Sequence, residues 1–271
     1  MNFAICNEIF DGWTLPDTFA FAKQAGYDAV EITPYTLAPR ITDVSPARRA
    51  EIRRQAADAG VAISGLHWLL ARTEGLYLTH TDATIRELTS NYFVELTRCT
   101  SDLGGRFMVL GSPKQRNLLP GVSTEQASQW TLDVLRPAVT LAETLGITLC
   151  FEPLAPSETN FINTALEARR LVAGMNSRAL QIILDVKAMS SEGRPIPEII
   201  RESKGAFAYF HANDSNLKGP GFGDVDFVPI AAALRDVGYA GCVSVEVFRF
   251  EEGPEVIATQ SRAYLKRTFG I

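Results

Sequence analysis

Hydrophobic residues along this chain collect in short runs rich in β-branched or aromatic side chains, and the runs are separated by longer stretches that carry helix start and stop signals. The short runs predict eight strands, at Phe3–Cys6, Ala29–Ile32, Ala62–Leu66, Phe107–Leu110, Leu149–Phe151, Ile182–Leu184, Ala208–Phe210 and Val243–Val245. The stretches between and after them predict helices over 16–25, 46–59, 82–103, 124–145, 164–174, 196–204, 227–237 and 254–268. Five of the joints leading into a strand share one device, a glycine just before the apolar run: Gly26, Gly60, Gly104, Gly146 and Gly238. Glycine there permits the left-handed cap from which a helix turns directly into a strand. Helix starts are marked as well. Ser45-Pro46 is an N-cap followed by proline at the first helical position, and Ser123…Gln126 and Thr164…Glu167 have capping-box spacing.

Eight strands each followed by a helix predict an α/β fold, a single closed (β/α)8 TIM barrel occupying residues 1–271 as one domain. A doubly wound open sheet would more typically bring a glycine-rich phosphate loop after the first strand. Here Asn7-Glu8-Ile9-Phe10-Asp11-Gly12-Trp13 follows instead. In a barrel the loops after the strands form the catalytic face. Glu31, His67-Trp68 and Ser112 to Arg116 belong to that face, and the loops 69–81 and 212–226 are long enough to serve as lids or substrate walls.

The four C-terminal strands each end on, or next to, one polar group: Glu152, Asp185, His211 and Glu246, spaced 33, 26 and 35 residues apart, about one strand-helix unit each. Any one of these acids alone could merely cap a helix or pair with an arginine. Four at equivalent ends of successive buried strands argue otherwise, because buried charge is costly unless it is paired or metal-bound. Carboxylates with one imidazole suit Mn²⁺, Mg²⁺ or Co²⁺.

Composition narrows the picture. The content is 46% hydrophobic and 21% charged, as in an ordinary globular protein, and no run is apolar enough to span a membrane. With 26 basic against 31 acidic residues the net charge is −5, which disfavours nucleic acid and anionic membranes as partners. The four cysteines lack metal-type spacing, and Cys6, Cys150 and Cys242 fall in or at the start of strands, so a reduced, cytoplasmic setting is expected.

Glu152-Pro153-Leu154, Glu158 to Thr164, Leu184-Asp185, Phe210-His211-Ala212-Asn213-Asp214, Gly221 to Phe227 and Ser244-Val245-Glu246 together resemble the xylose-isomerase-like TIM-barrel superfamily. Within it the chain is most similar to the sugar isomerase/epimerase branch that holds D-tagatose 3-epimerase, D-psicose epimerase and hydroxypyruvate isomerase. The resemblance covers nearly the whole chain. It implies that Glu152, Asp185, His211 and Glu246 hold one divalent ion, often Mn²⁺, and that Glu152 and Glu246 flank a ketose or related hydroxy-carbonyl substrate as acid and base. Proton abstraction to a metal-stabilised enediolate, followed by reprotonation at the same or the neighbouring carbon, gives epimerisation or aldose-ketose isomerisation. Related barrels are often homodimers.

Two departures from the epimerase pattern stand out. A substrate-binding histidine expected three residues after the metal aspartate is Ala188, and an arginine expected after the metal histidine is replaced at Leu217-Lys218. Lys187 or Lys218 could supply a replacement donor. Glu158, six residues past Glu152, resembles a position that orients the metal glutamate and substrate, with a solvated loop acid as the plainer alternative. His67 and Trp68 could form an aromatic wall beside a sugar, or a core aromatic beside a satisfied histidine. Lys114, Gln115 and Arg116 could bind a hydroxyl or an anion, with Gln115 counted among the substrate residues, or could be a plain charged rim. Trp13 could reach the mouth but is expected to pack, and His80 is expected at the surface without a role. Altered residues at 188 and 217 leave a lyase or dehydratase on a keto-inositol or 3-keto-glycoside as the alternative. An abasic-site endonuclease is disfavoured, since it needs several histidines and this chain has only His67, His80 and His211.

Overall fold

The computed structural model describes residues 1–270, so that Ile271, the last residue of the expected domain, lies outside them. Eight strands form among the described residues: β1 (Asn2–Cys6), β2 (Ala29–Ile32), β3 (Ala62–His67), β4 (Phe107–Leu110), β5 (Thr148–Phe151), β6 (Leu180–Asp185), β7 (Phe207–Ala212) and β8 (Cys242–Val245). Each pairs in parallel with its sequence neighbours, and β8 closes on β1 with Phe3 opposite Val243 and Ile5 opposite Val245. The expected (β/α)8 barrel is the fold.

The helices are α1 (Leu15–Gln24), α2 (Pro46–Asp58), α3 (Ala83–Asp102), α4 (Thr124–Leu145), α5 (Ala165–Ala173), α6 (Val186–Ser190), α7 (Ile196–Glu202), α8 (Phe227–Asp236) and α9 (Pro254–Phe269). Most match the expected spans to within a residue or two, the usual uncertainty of a fraying end. Their starts are chemically marked as anticipated. Ser45 Oγ accepts from Arg48 N with Pro46 at the first position, Ser123 Oγ accepts from Gln126 N, and Thr164 with Glu167 forms the full reciprocal box. All five joint glycines have positive φ, between +66° and +90°, where a Cβ would be strained. The one helix absent from the expectation is α6, a short turn of Val186–Ser190 started by Asp185, whose Oδ1 accepts from Ala188 N at 2.7 Å.

Inside the barrel lies a layer with one residue from every strand but β3: Ala4, Ala29, Val109, Cys150, Ile183, Tyr209 and Cys242. Outward-facing residues such as Phe3, Ile5, Leu149, Phe151, Phe210 and Val243 pack beneath the helices in the larger core. Two residues further along β7 from Tyr209, His211 points to the same side, because side chains alternate along a strand. The inner layer therefore forms the floor beneath the polar residues at the strand ends.

Candidate metal centre

Glu152 and Glu246 stand one residue beyond β5 and β8, and Asp185 is the last residue of β6. Backbone bonds carry the ladder out to the two glutamates: Glu152 N donates to Leu110 O at 3.1 Å and Glu246 N to Ala212 O at 3.3 Å. The barrel thus gathers Glu152, Asp185, His211 and Glu246 at one mouth, all buried, with one ligand atom of each within 4.8 Å of the others. His211 Nδ1 is 3.0 Å from Glu246 Oε2, 3.9 Å from Asp185 Oδ2 and 4.0 Å from Glu152 Oε1.

The donor set fits a divalent cation on two grounds. His211 Nδ1 and Glu246 Oε2 are both buried and 3.0 Å apart as an ion pair, yet no well-aligned hydrogen bond joins them and neither has another partner among the described residues. Two polar atoms left unsatisfied side by side are what a shared third partner between them would explain. The charges tell the same story. Burial, then the neighbouring carboxylates of Glu246 and Asp185, push the Glu152 carboxyl up to about 8. Burial would also raise Glu246, but the His211 and His67 imidazoles hold it well below the usual carboxylate range. Three acids crowded around one imidazole repel one another, and a dication would relieve that repulsion.

The supporting shell orients each donor. Glu31, at 1% exposure, lies on β2, and its Oε2 stands 3.1 Å from His211 Nε2 and accepts from Tyr209 Oη at 3.1 Å. Burial opposes the Glu31 carboxylate, yet His211 and His67 hold it down at about 2. An ionised carboxylate only accepts, so His211 Nε2 carries the hydrogen and Nδ1 faces the cluster. Asn213 Nδ2 donates to Asp185 Oδ2, and its Oδ1 accepts from Lys187 N. At Gly111 an added Cβ would lie 2.2 Å from Glu152 Oε2, so glycine makes the room for that carboxylate.

Glu246 is held from the opposite direction. Trp68 Nε1 donates to its Oε1 at 2.7 Å, and His67 Nδ1 is 3.5 Å away. His67 is fully buried, with Nε2 3.0 Å from Glu8 Oε2; burial lowers its affinity for a proton, but Glu8 and Glu31 lift the imidazole to about 10. Trp68 and Ser112, each following a strand end, take left-handed backbone conformations that non-glycine residues seldom adopt, as strained positions around functional sites do.

The remaining candidates are placed unevenly. Lys187 Nζ lies 2.8 Å from Glu158 Oε1 and 4.0 Å from the centre of the Phe248 ring, so these three residues form one wall of the mouth. Lys218 turns away to Glu252. Leu217 takes φ +73°, which lets its carbonyl accept from both Phe248 N and Arg249 N. Gln115 sits in a 3-10 turn after β4, its carbonyl accepting from Leu78 N. Arg116 is not a rim charge: at 1% exposure it donates to the carbonyls of Glu152, Phe161 and Ile162, and so holds the Glu152 loop. Trp13 packs on Phe10 and Phe21 and also lines a cavity at the mouth, while His80 is half-buried and accepts from Asp82 N at the start of α3. Glu8 and Phe248 carry no site reading in the sequence, while Glu31 is placed there on the catalytic face and Asn213 within the family motif, neither with a role. Of these only Glu31, an acid next to the end of a predicted strand, carries the signal that marks the other four.

The family model for the xylose isomerase-like TIM barrel matches residues 19–268. D-psicose 3-epimerase of Agrobacterium fabrum is 25% identical over 239 residues, covering 82% of this chain and 75% of that one. The 3-dehydro-D-guloside 4-epimerase of Escherichia coli is 24% identical over 276 residues, covering 98% of this chain and 99% of that one. A crystal structure of D-psicose 3-epimerase in the presence of D-fructose superposes with a TM-score of 0.88 over the full length of both chains at 21% identity, a likeness of fold.

Proposed function

The chain belongs to the xylose isomerase-like TIM barrel family, and from that premise we propose that it is a divalent-metal-dependent epimerase or isomerase of a ketose or related hydroxy-carbonyl sugar. The observation that carries the reading is the convergence of four buried donors, two of them unsatisfied, at the mouth of the barrel. The relatives named for sugar epimerisation support the reaction type.

Glu152, Asp185, His211 and Glu246 would hold the ion. Their oxygen-rich donor set favours Mn²⁺, with Mg²⁺ and Co²⁺ as the other candidates. When bound, the ion acidifies the substrate carbon that bears a hydroxyl next to the carbonyl. The protein supplies the rest. Glu246, oriented by Trp68 and His67, and Glu152, oriented through Arg116 and given space by Gly111, would serve as the acid-base pair; one takes the carbon-bound proton and the other returns it. Return to the same carbon from the opposite face inverts it. Glu158 and Lys187 line the approach, where a hydroxyl could replace part of their mutual bond. A cytoplasmic setting accords with four cysteines that are all buried and free.

Chelator-treated protein should incorporate no solvent deuterium into a ketose, regain exchange with about one equivalent of Mn²⁺ per chain, and lose it again in Glu246→Gln. Full activity in a metal-free preparation would sink the proposal.

A further inference from the structure

Glu8 stands beside the centre without a part in the reaction proposed above. It lies in the 3-10 turn Asn7–Phe10 that follows β1. Its neighbour Asn7 ties that turn to the loop after β2: Asn7 Oδ1 accepts from Thr33 N and Asn7 Nδ2 donates to Thr36 Oγ1, both at 2.8 Å. The Glu8 side chain is held inward, 11% exposed, with Oε2 3.0 Å from His67 Nε2. An oxygen of Glu8 also lies within 4.8 Å of an oxygen of Glu246, so Glu8 borders the carboxylate proposed to move the proton.

The second oxygen, Oε1, is buried and has no hydrogen-bond partner among the described residues. A buried acceptor left without a donor is costly, the more so on a charged group, so this orphan calls for a partner. Glu8 lines a cavity of about 640 Å³ at the mouth, together with Asn7, Trp13, Tyr35, Trp68 and Arg72. None of them answers Oε1. The Arg72 guanidinium lies 4.2 Å over the Tyr35 ring, and Trp68 gives its Nε1 hydrogen to Glu246. A carboxylate oxygen only accepts, whereas each free hydroxyl of a ketose brings a donor.

We propose that Glu8 determines specificity: its Oε1 accepts a hydrogen bond from one substrate hydroxyl that comes to lie beside Glu246, and so selects sugars that carry a free hydroxyl there. The proposal rests on the epimerase or isomerase reading above. His67 holds Oε2 and keeps the carboxylate in place, which leaves Oε1 for the substrate. A site built this way rejects the sugar that lacks the hydroxyl, because that analogue buries the same acceptor and leaves it unpaired.

The test measures kcat/KM for solvent deuterium exchange by the Mn²⁺-loaded full chain into D-fructose and into its 1-deoxy, 4-deoxy and 6-deoxy analogues. One analogue should fall at least about ten-fold below D-fructose, the least that a hydrogen bond to a charged group contributes. In Glu8→Ala that deficit should shrink toward unity. In Glu8→Gln, which keeps the shape of the side chain and a bond to His67, it should shrink to about three-fold, since a neutral hydrogen bond is about half as strong as a charged one. Each deficit is a ratio within one protein, so a general loss of activity does not move it. Variants that slow D-fructose and every analogue by the same factor would show that Glu8 only holds His67, and would overturn the proposal. So would a wild-type chain that exchanges all four sugars alike, which would leave the epimerase reading intact. Exchange into none of the four by the wild-type chain would overturn both.

Discussion

Glu31→Gln isolates the part of the centre that is not a ligand. The substitution keeps the shape of the side chain and removes the carboxylate from His211 Nε2, 3.1 Å away, and from Tyr209 Oη at the same distance. Although burial opposes its charge, the two imidazoles hold the Glu31 carboxyl at about 2 rather than its ordinary 4.5. At about 1.4 kcal/mol per pH unit, that interaction is worth on the order of 3 kcal/mol. Because the folded-state value is depressed, this stability is present above about pH 4.5 and lost as pH falls toward 2, so the acid limb of the wild-type unfolding curve should flatten in the variant. The larger consequence concerns metal. An amide can offer His211 its nitrogen or its oxygen, so the tautomer that turns Nδ1 to the cluster is no longer enforced, and the imidazole becomes a poorer donor. Partners of this kind are worth about 10–100-fold in metal affinity. Calorimetric titration of chelator-treated protein with Mn²⁺ should show a Kd raised by that factor, with turnover largely recovered at saturating Mn²⁺. An unchanged Kd would refute the claim that Glu31 prepares His211 for an ion.

Three further outcomes follow from the same geometry. Gly111→Ala places a Cβ 2.2 Å from Glu152 Oε2, and a displaced carboxylate should cost about 100-fold in exchange rate, with circular dichroism unchanged; a fully active variant would show that Glu152 does not need that position. The Glu152 carboxyl, raised to about 8, carries a proton below that pH which a dication must displace, so Mn²⁺ affinity measured between pH 6 and 8 should rise with pH and then level off. The raised value also means that chelated protein loses stability as pH climbs from about 4.5 toward 8, a loss that bound Mn²⁺ should remove in a thermal-shift series.

Chain order carried much of this molecule. Strand runs, glycine joints and caps are local signals, and each depends on a few neighbouring residues whose backbone preferences do not need the rest of the fold. Periodicity then placed Glu152, Asp185, His211 and Glu246 at equivalent strand ends, and closure of the barrel brought them within 4.8 Å. Such a regular fold turns sequence interval into position around a ring, which is why residues one strand-helix unit apart meet at one mouth.

What the chain order did not reveal depends on approach between residues far apart in sequence. Glu31 meets His211 across 180 positions, and Trp68 reaches Glu246 across 178, through side-chain rotamers that no local pattern encodes. Arg116 looked like a rim charge because its neighbours Lys114 and Gln115 are polar, yet the loop after β5 folds over it and its guanidinium satisfies three buried carbonyls. Lys187 and Lys218 were equivalent candidates in the sequence; the turn of α6 sends one to Glu158, and the loop after β7 sends the other to Glu252. By itself, then, the sequence determined the barrel and the placing of Glu152, Asp185, His211 and Glu246 at equivalent strand ends, because both follow from local pattern and period. The tertiary structure alone decided which donor each supporting group holds, and that a cavity opens beside them, because both arise where loops from opposite sides of the ring meet.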